Sequence, residues 1–150
     1  MPFIFRQALP ADSIQIAVLY RQLVNNPVVD VLPERVAELA ADEDTALFVC
    51  EHHEIVVATA LVALCKDVMF RAQPFAVVEN VVVDEACRGQ GIGAALLRQV
   101  DAFCLSKNCS KIMLLSSAYR EDAHRFFERA GFVAASKRGF VKYRSAFQAV

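Results

Sequence analysis

The sequence predicts an α/β chain (α+β in its segregation of elements) built on one mixed, mostly antiparallel sheet of about seven strands, flanked by four helices. Three observations predict it. Extended and helical patterns follow one another as β-α-α-β-β-β-α-β-α-β, with a pair of short strands in the last position. The central segment Phe75-Ala-Val-Val-Glu-Asn-Val-Val-Val83 is almost wholly apolar, as expected of a strand covered on both faces. A long helical pattern links it to the next strand, and a helical crossover makes such a pair parallel.

Each element has a local reason. Phe3-Ile-Phe-Arg6 reads as a short strand, and Pro10-Ala-Asp12-Ser13 opens a helix with Asp12 or Ser13 as cap, running to Asn25. Asn25-Asn-Pro27 stops it, and Pro33 restarts a second helix through about Ala41. Thr45 to Glu51 and Ile55 to Lys66, rich in Val, Leu and Phe, form a hairpin around His52-His-Glu54, and Asp67 to Pro74 leads to the central strand. Ile92, Ala95, Leu96, Gln99, Val100 and Phe103 recur at three- and four-residue steps, giving a helix with one buried stripe. Lys111 to Leu115 is a strand, and a helix from about Asp122 to Ala130 closes at Gly131. Phe132 to Ser136 and Phe140 to Tyr143 are two further strands around Arg138-Gly139.

At 150 residues, with 56% hydrophobic and 22% charged residues, the chain reads as a single packed domain over 1–150. No apolar run reaches the ~20 residues that span a bilayer, and Met1-Pro-Phe-Ile-Phe-Arg6 lacks the layout of a secretion signal, so the expectation is a cytoplasmic protein without a membrane partner. A net charge of −1 and no basic tract give no support for nucleic-acid binding. Five cysteines without a Cys-x-x-Cys pair are read as reduced apolar fillers, with Cys87 the one placed beside a positive loop.

Three of the five glycines fall within Gly89-Gln-Gly91-Ile-Gly93, directly before the long helix. Glycine lets backbone N–H groups converge without Cβ obstruction. The first N–H groups of the helix lack partners within it, and its dipole puts about half a positive charge there. A phosphate or diphosphate suits such an end, and Arg88 adds a full charge. A nucleotide-hydrolase loop is excluded because no Lys-Ser or Lys-Thr follows the glycines. Gly89, Gly91 and Ala94 formally meet the dinucleotide fingerprint, yet the next strand ends in Ser116-Ser117, not an acidic residue, and too little chain remains for that fold.

Arg88-Gly-Gln-Gly91-Ile-Gly93 resembles the Arg/Gln-x-x-Gly-x-Gly/Ala signature of the GNAT superfamily of N-acetyltransferases, and Val78-Glu-Asn-Val-Val-Val83 resembles the strand before it. Arg120-Glu-Asp-Ala123-His-Arg-Phe126-Phe127-Glu-Arg-Ala-Gly131-Phe132 is similar to the family's second block, and Arg6-x-Ala8-x4-Asp12 to its opening. The resemblance implies that the parallel central pair splays apart to admit the pantetheine arm of acetyl-CoA, with no metal. It further implies that Val81, Val82, Val83, Arg88, Gly89, Gln90, Gly91, Ile92, Gly93 and Ala94 hold the coenzyme through their main chain, with Phe126 and Phe127 near the pantetheine.

Acyl transfer to an amine needs two kinds of help. An alkylamine of pKa near 10 is about 99.9% protonated at neutral pH, a handicap of roughly 4 kcal/mol, so a base is valuable. Glu79 interrupts an apolar strand and matches the position of a family glutamate that relays the proton through water; the structural alternative is a carboxylate paired with a cation such as Arg71. Asn80 either satisfies backbone groups or lies toward the acceptor. Negative charge also develops on the thioester oxygen, and a backbone N–H near Val81 or Val82, aimed by the bulge common in this family, would serve as an oxyanion donor.

Phe127 departs from the family, which commonly has Tyr there as the acid for the leaving thiolate; Tyr119 or Ser117 are the substitutes in reach of the sequence. A thiol of pKa near 8.5 leaves fairly readily unaided, so the loss slows rather than abolishes transfer. Arg120 stands in register with a common family Asn, and the run to Phe126 is similar to the aminoalkylphosphonate branch. His124, His52 and His53 read as surface residues without metal-ligand spacing.

The expected function is acetyl-CoA-dependent N-acetylation of a small-molecule primary amine by direct attack in a ternary complex. The alternatives are a protein or peptide N-acetyltransferase and a non-catalytic acyl-CoA sensor, the latter motivated by Phe127. In the resembled family the acceptor walls are variable segments, here Asn25 to Pro33 and Asp67 to Pro74, and Asp30 or Asp67 would attract a cationic amine. A homodimer is left open.

Overall fold

The computed structural model describes residues 2–150. They divide into two compact units, one ending at Leu114 and one spanning Leu115–Val150. The first holds β1 (Ile4–Gln7), a 3-10 turn (Pro10–Asp12), α1 (Ser13–Leu23), α2 (Pro33–Ala40), β2 (Thr45–His52), β3 (Ile55–Cys65), β4 (Phe75–Val83), a 3-10 turn (Glu85–Cys87), α3 (Ile92–Ser106) and β5 (Ile112–Leu114). The second holds α4 (Glu121–Arg129) and a 3-10 turn (Arg144–Ala146).

The sheet runs β1-β2-β3-β4-β5 in space, antiparallel except for the parallel pair β4 and β5 that α3 connects. The described residues contain five strands where the sequence suggested seven. Phe132 to Ser136 and Phe140 to Tyr143 form no ladder, and Val133, Phe140, Val141 and Tyr143 are exposed. Phe and Val favour strands only where a pleated surface can be buried, and a two-stranded ribbon alone is marginal. The chain instead brings Gly139 against Leu115, where an added Cβ would lie 2.3 Å from the leucine Cδ2.

Both faces of the sheet are covered. On one, Ile92, Leu96, Val100 and Cys104 of α3 pack on Phe48, Val62, Ala76 and Val78. On the other, Ile16 and Leu19 of α1 and Val36 of α2 pack on Leu47, Val49, Val56 and Val82. The three- and four-residue spacing of these helix positions produces the apolar stripes that the sheet buries.

Asp12 does not cap α1 through its side chain. Its carboxylate accepts from the Leu9 N–H at 2.7 Å and from two Arg6 nitrogens at 2.8 and 3.0 Å, and Arg6 also reaches Glu51 at 2.8 Å. Ser13 Oγ donates to the Pro10 carbonyl at 2.6 Å. The Arg6 hydrogen bond is the main cause that lowers the Asp12 carboxyl below its usual 3.8, outweighing the opposing effect of burial. A carboxyl depressed in the folded state stabilises above its unfolded pKa, and that contribution is lost as pH falls through the folded value. Asp12→Asn therefore costs about 1–3 kcal/mol at pH 7. The gap between variant and wild type narrows below about pH 4; thermal melts from pH 2 to 7 measure it, and a gap independent of pH would remove Asp12 as the source.

Candidate active site

β4 carries one extra residue at its centre. Leu61 of β3 faces Glu79 and Thr59 faces Val82, so Asn80 and Val81 together stand opposite Ala60. Asn80 has φ +56°, a left-handed conformation that asparagine tolerates better than most side chains. The bulge reverses the alternation of faces: Ala76 and Val78 point to α3, as do Val81 and Val83, while Val82 joins the α1 side.

The same shift sets the main chain. The Ala76 N–H donates toward β5, to Lys111 O at 3.0 Å, and the Asp84 N–H donates toward β3, to Val57 O at 2.8 Å. Stepping back in twos from Asp84 turns the Val82 main chain to β3 and the Val81 and Val83 main chains to the β5 side. β5 pairs with β4 only from Ala76 to Val78. Beyond Val78 that edge is open, so Val81, not Val82, presents the free strand amide beside the bulge.

The edge leads into the glycine loop. Asp84 Oδ1 accepts the Ala86 N–H at 2.9 Å and shapes the turn, after which Arg88 Nε donates to Val83 O at 3.1 Å. Gly89 and Gly91 adopt φ +80° and +78°, and a Cβ on either meets nothing of the protein within 4 Å. Glycine is thus required there for its backbone angle, leaving open space above it. Among the described residues, no main-chain N–H from Arg88 to Ala94 makes a short, well-aligned hydrogen bond within the protein; the first bond of the helical ladder is Ala95 N–H to Gly91 O at 3.1 Å. The main-chain donors of this turn and helix N-terminus, with Arg88 alongside, are of the kind that suits an anion. Ile92 is buried against the sheet, so only its main chain belongs to the loop surface.

Glu79 stands beside the bulge opposite Leu61, exposed, and no ion pair forms to it among the described residues. The pairing that the structural alternative called for is corrected: Glu79 is exposed, and neither Arg71 nor another cation among the described residues forms an ion pair with it. Asp67 Oδ1 is occupied by the N–H groups of Val68 and Met69 at 2.7 and 3.2 Å, which closes its own loop; Asp30 is exposed.

Tyr20 and Gln22, which the sequence did not single out, also border β4. Burial pushes the Tyr20 phenol up, and the Asn80 side chain opposes that rise. Gln22 Oε1 accepts the Glu85 N–H at 3.0 Å, and Gln15 Oε1 accepts the Val56 N–H at 2.5 Å. The available signal was Gln15 and Gln22 seven apart, two turns along one face of α1.

Phe126 and Phe127 belong to the unit from Leu115 onward. Their rings meet at a tilt of 53° with centroids 5.1 Å apart, and Phe127, buried, meets Phe132 edge-on at 5.9 Å. Tyr119 is exposed, and His124 Nε2 bonds the Ser117 carbonyl at 2.8 Å, which ties the first turn of α4 to the preceding loop. All five cysteines are free. Burial raises Cys50 to about 11 and Cys104 to about 12, as expected of apolar fillers, and Cys87 lies half-buried at the edge of the α3 core. No group of three or more His, Cys, Asp or Glu suited to a metal occurs among the described residues, and no helix is long and apolar enough to cross a membrane.

Residues 16–132 match the model of the acetyltransferase (GNAT) family. The chain belongs to that family. Among solved structures of the fold, a candidate acetyltransferase from Agrobacterium tumefaciens str. C58 is 32% identical, with a TM-score of 0.83 over 94% of this chain and 99% of that one. Glucosamine-6-phosphate N-acetyltransferase from Arabidopsis thaliana has a TM-score of 0.81 at 24% identity, over 96% and 99% of the two chains, and speaks for the GNAT fold alone. A glucosamine 6-phosphate N-acetyltransferase of Trypanosoma brucei brucei is 42% identical over 57 residues. That match takes in 38% of this chain and 37% of the relative, little more than a third of its length.

Proposed function

We propose that this GNAT protein transfers the acetyl group of acetyl-CoA to a primary amine of a small molecule, by direct attack within a ternary complex. The observation that carries the reading is the run of main-chain N–H groups from Arg88 to Ala94 that make no short, well-aligned bond within the protein, continuous with the open β4 edge. The coenzyme diphosphate sits on the amides of 88–94, and the pantetheine runs along the main chain of Val81 and Val83. The thioester carbonyl then meets the Val81 N–H, which takes up the charge of the tetrahedral intermediate. The Trypanosoma brucei brucei relative named for glucosamine 6-phosphate, similar over 57 residues, supports a small amine acceptor.

In the reaction the amine nitrogen adds to the thioester carbon, the C–S bond breaks, and coenzyme A leaves as thiolate. Glu79, exposed beside the bulge, relays the ammonium proton through water. Phe127 has no hydroxyl to protonate the thiolate, which departs without that help. The same residue favours the second reading, a protein that binds acyl-CoA without turning it over.

An amine panel assayed for thiol release separates the two readings. Turnover on a small amine supports the enzyme; coenzyme binding without turnover on any amine or peptide supports the sensor. Glu79→Gln lowers turnover by about 100-fold near neutral pH, with the deficit shrinking above pH 9 as the amine deprotonates unaided. A pH–rate profile parallel to that of the wild type would remove Glu79 as the base.

A further inference from the structure

We infer that the acceptor is a primary amine with an uncharged, apolar body, and that this body lies on a strip of the sheet formed by Ala63, Phe75, Val77 and Met113 beside Glu79. The inference rests on the acyl-transfer reading above and names the class of amine within it.

Strand register places the strip. Directly paired residues of neighbouring strands share one face of a sheet, and alternate residues along a strand return to it. Glu79 pairs with Leu61, which packs against the α1 cluster, so Glu79 lies on the α1 side. Val77 lies on that side too, flanked by its partners Ala63 of β3 and Met113 of β5. Phe75 follows at the start of β4. The residues that alternate with them, Val62, Ala76 and Val78, are buried in the cluster beneath α3. On the α1 side the cover stops short. α1 and α2 pack on Leu47, Val49, Val56 and Val82, and neither packed cluster includes Ala63, Phe75, Val77 or Met113. All four are half-buried, an apolar surface of the kind that takes an apolar ligand.

Charge sets the direction of that ligand. At one end of the strip stands Glu79, exposed and in no ion pair among the described residues. At the other, the Lys111 ammonium lies 5.1 Å from the centroid of the Phe75 ring. An ammonium is attracted to the first and repelled by the second, so the amine points to Glu79 and the body runs back toward Phe75. The Val81 amide, across the bulge from Glu79, then presents the thioester to the amine. Same-face positions repeat every ~7 Å, so the strip extends about 13 Å from Glu79 to Phe75. Ala63, Val77 and Met113, between the two charges, offer a phosphate no partner, which disfavours an aminosugar phosphate.

The rates of an amine series test the class. From ethylamine to n-hexylamine, kcat/KM rises about fourfold per methylene, the worth of one buried CH₂. Both n-hexylamine and phenethylamine exceed glucosamine 6-phosphate. Met113→Gln places an amide on the strip and lowers kcat/KM for n-hexylamine about tenfold, with ethylamine reduced less than twofold. Val77→Thr adds a hydroxyl at nearly equal volume and splits the two amines in the same way, should Met113→Gln fold poorly. A purely structural role would slow both amines alike.

Methionine methyl NMR reads the strip without catalysis, since the chain has three methionines, Met1, Met69 and Met113. Phenethylamine, added with and without coenzyme A, shifts the Met113 methyl signal and leaves that of Met1 in place. If no amine is acetylated while the Met113 methyl moves, the acyl-transfer reading falls and the strip survives as an amine site. A Met113 methyl that stays unmoved, rates that are flat along the alkyl series, or a preference for glucosamine 6-phosphate would each overturn the inference.

Discussion

Gly91→Asp raises the acetyl-CoA KM by about 100-fold while leaving the protein folded. Gly91 closes the loop with φ +78°, where a non-glycine residue is strained by roughly 1–2 kcal/mol. The space above it is open, so the strain is not compounded by a clash within the protein. The larger effect is electrostatic. In the proposed complex a carboxylate there faces the diphosphate at a few ångströms, and a like-charge contact of that kind costs about 3 kcal/mol at an effective dielectric near 20. Steady-state kinetics over a range of acetyl-CoA concentrations, with circular dichroism as the folding control, give the result. An unchanged KM would mean that the amides of 88–94 do not hold the coenzyme.

Leu96→Ala gives the opposite pattern, a large loss of stability with the coenzyme seat intact. Leu96 is completely buried one turn into α3, against the sheet residues beneath it. Removing its side chain leaves a cavity in a packed interior and costs about 3 kcal/mol. For a chain of this size that lowers the melting temperature by roughly 10 °C. Saturating acetyl-CoA recovers part of the loss, since a ligand of the folded state adds stability by mass action. The acetyl-CoA KM measured at 15–20 °C stays within about twofold of wild type. A melting temperature within 2 °C of wild type would mean that α3 is not seated on the sheet through this residue.

The sequence carried the order of elements because hydrophobic period is a local property. The near-continuous apolar strands of the hairpin Thr45–Cys65 and the three- and four-residue steps of Ile92, Leu96 and Val100 each announce their own burial. The left-handed turn at Gly89 and Gly91 was legible for the same reason, since a tight turn into a helix is built from consecutive residues. Boundaries moved by a residue or two: α1 ends at Leu23 and not Asn25, and β5 is trimmed to Ile112–Leu114. The tail misled because Phe140, Val141 and Tyr143 have strand propensity, while a strand exists only through a partner that no local pattern reveals.

What the chain determined by itself was the family, the crossover that makes β4 and β5 parallel, and the residue type at each point of the glycine loop. These depend on spacing and on backbone angles that only certain residues reach. Tertiary structure alone decided that β4 gains its extra residue at Asn80, that Val81 faces the edge β5 leaves unpaired while Val82 is turned to β3, and that Glu79 is exposed with no ion pair among the described residues. It also brought Gln22 to the end of β4 from some sixty residues away. Register between strands and the landing point of a helix are set by side-chain packing summed over the whole sheet, and no short stretch of sequence contains that sum.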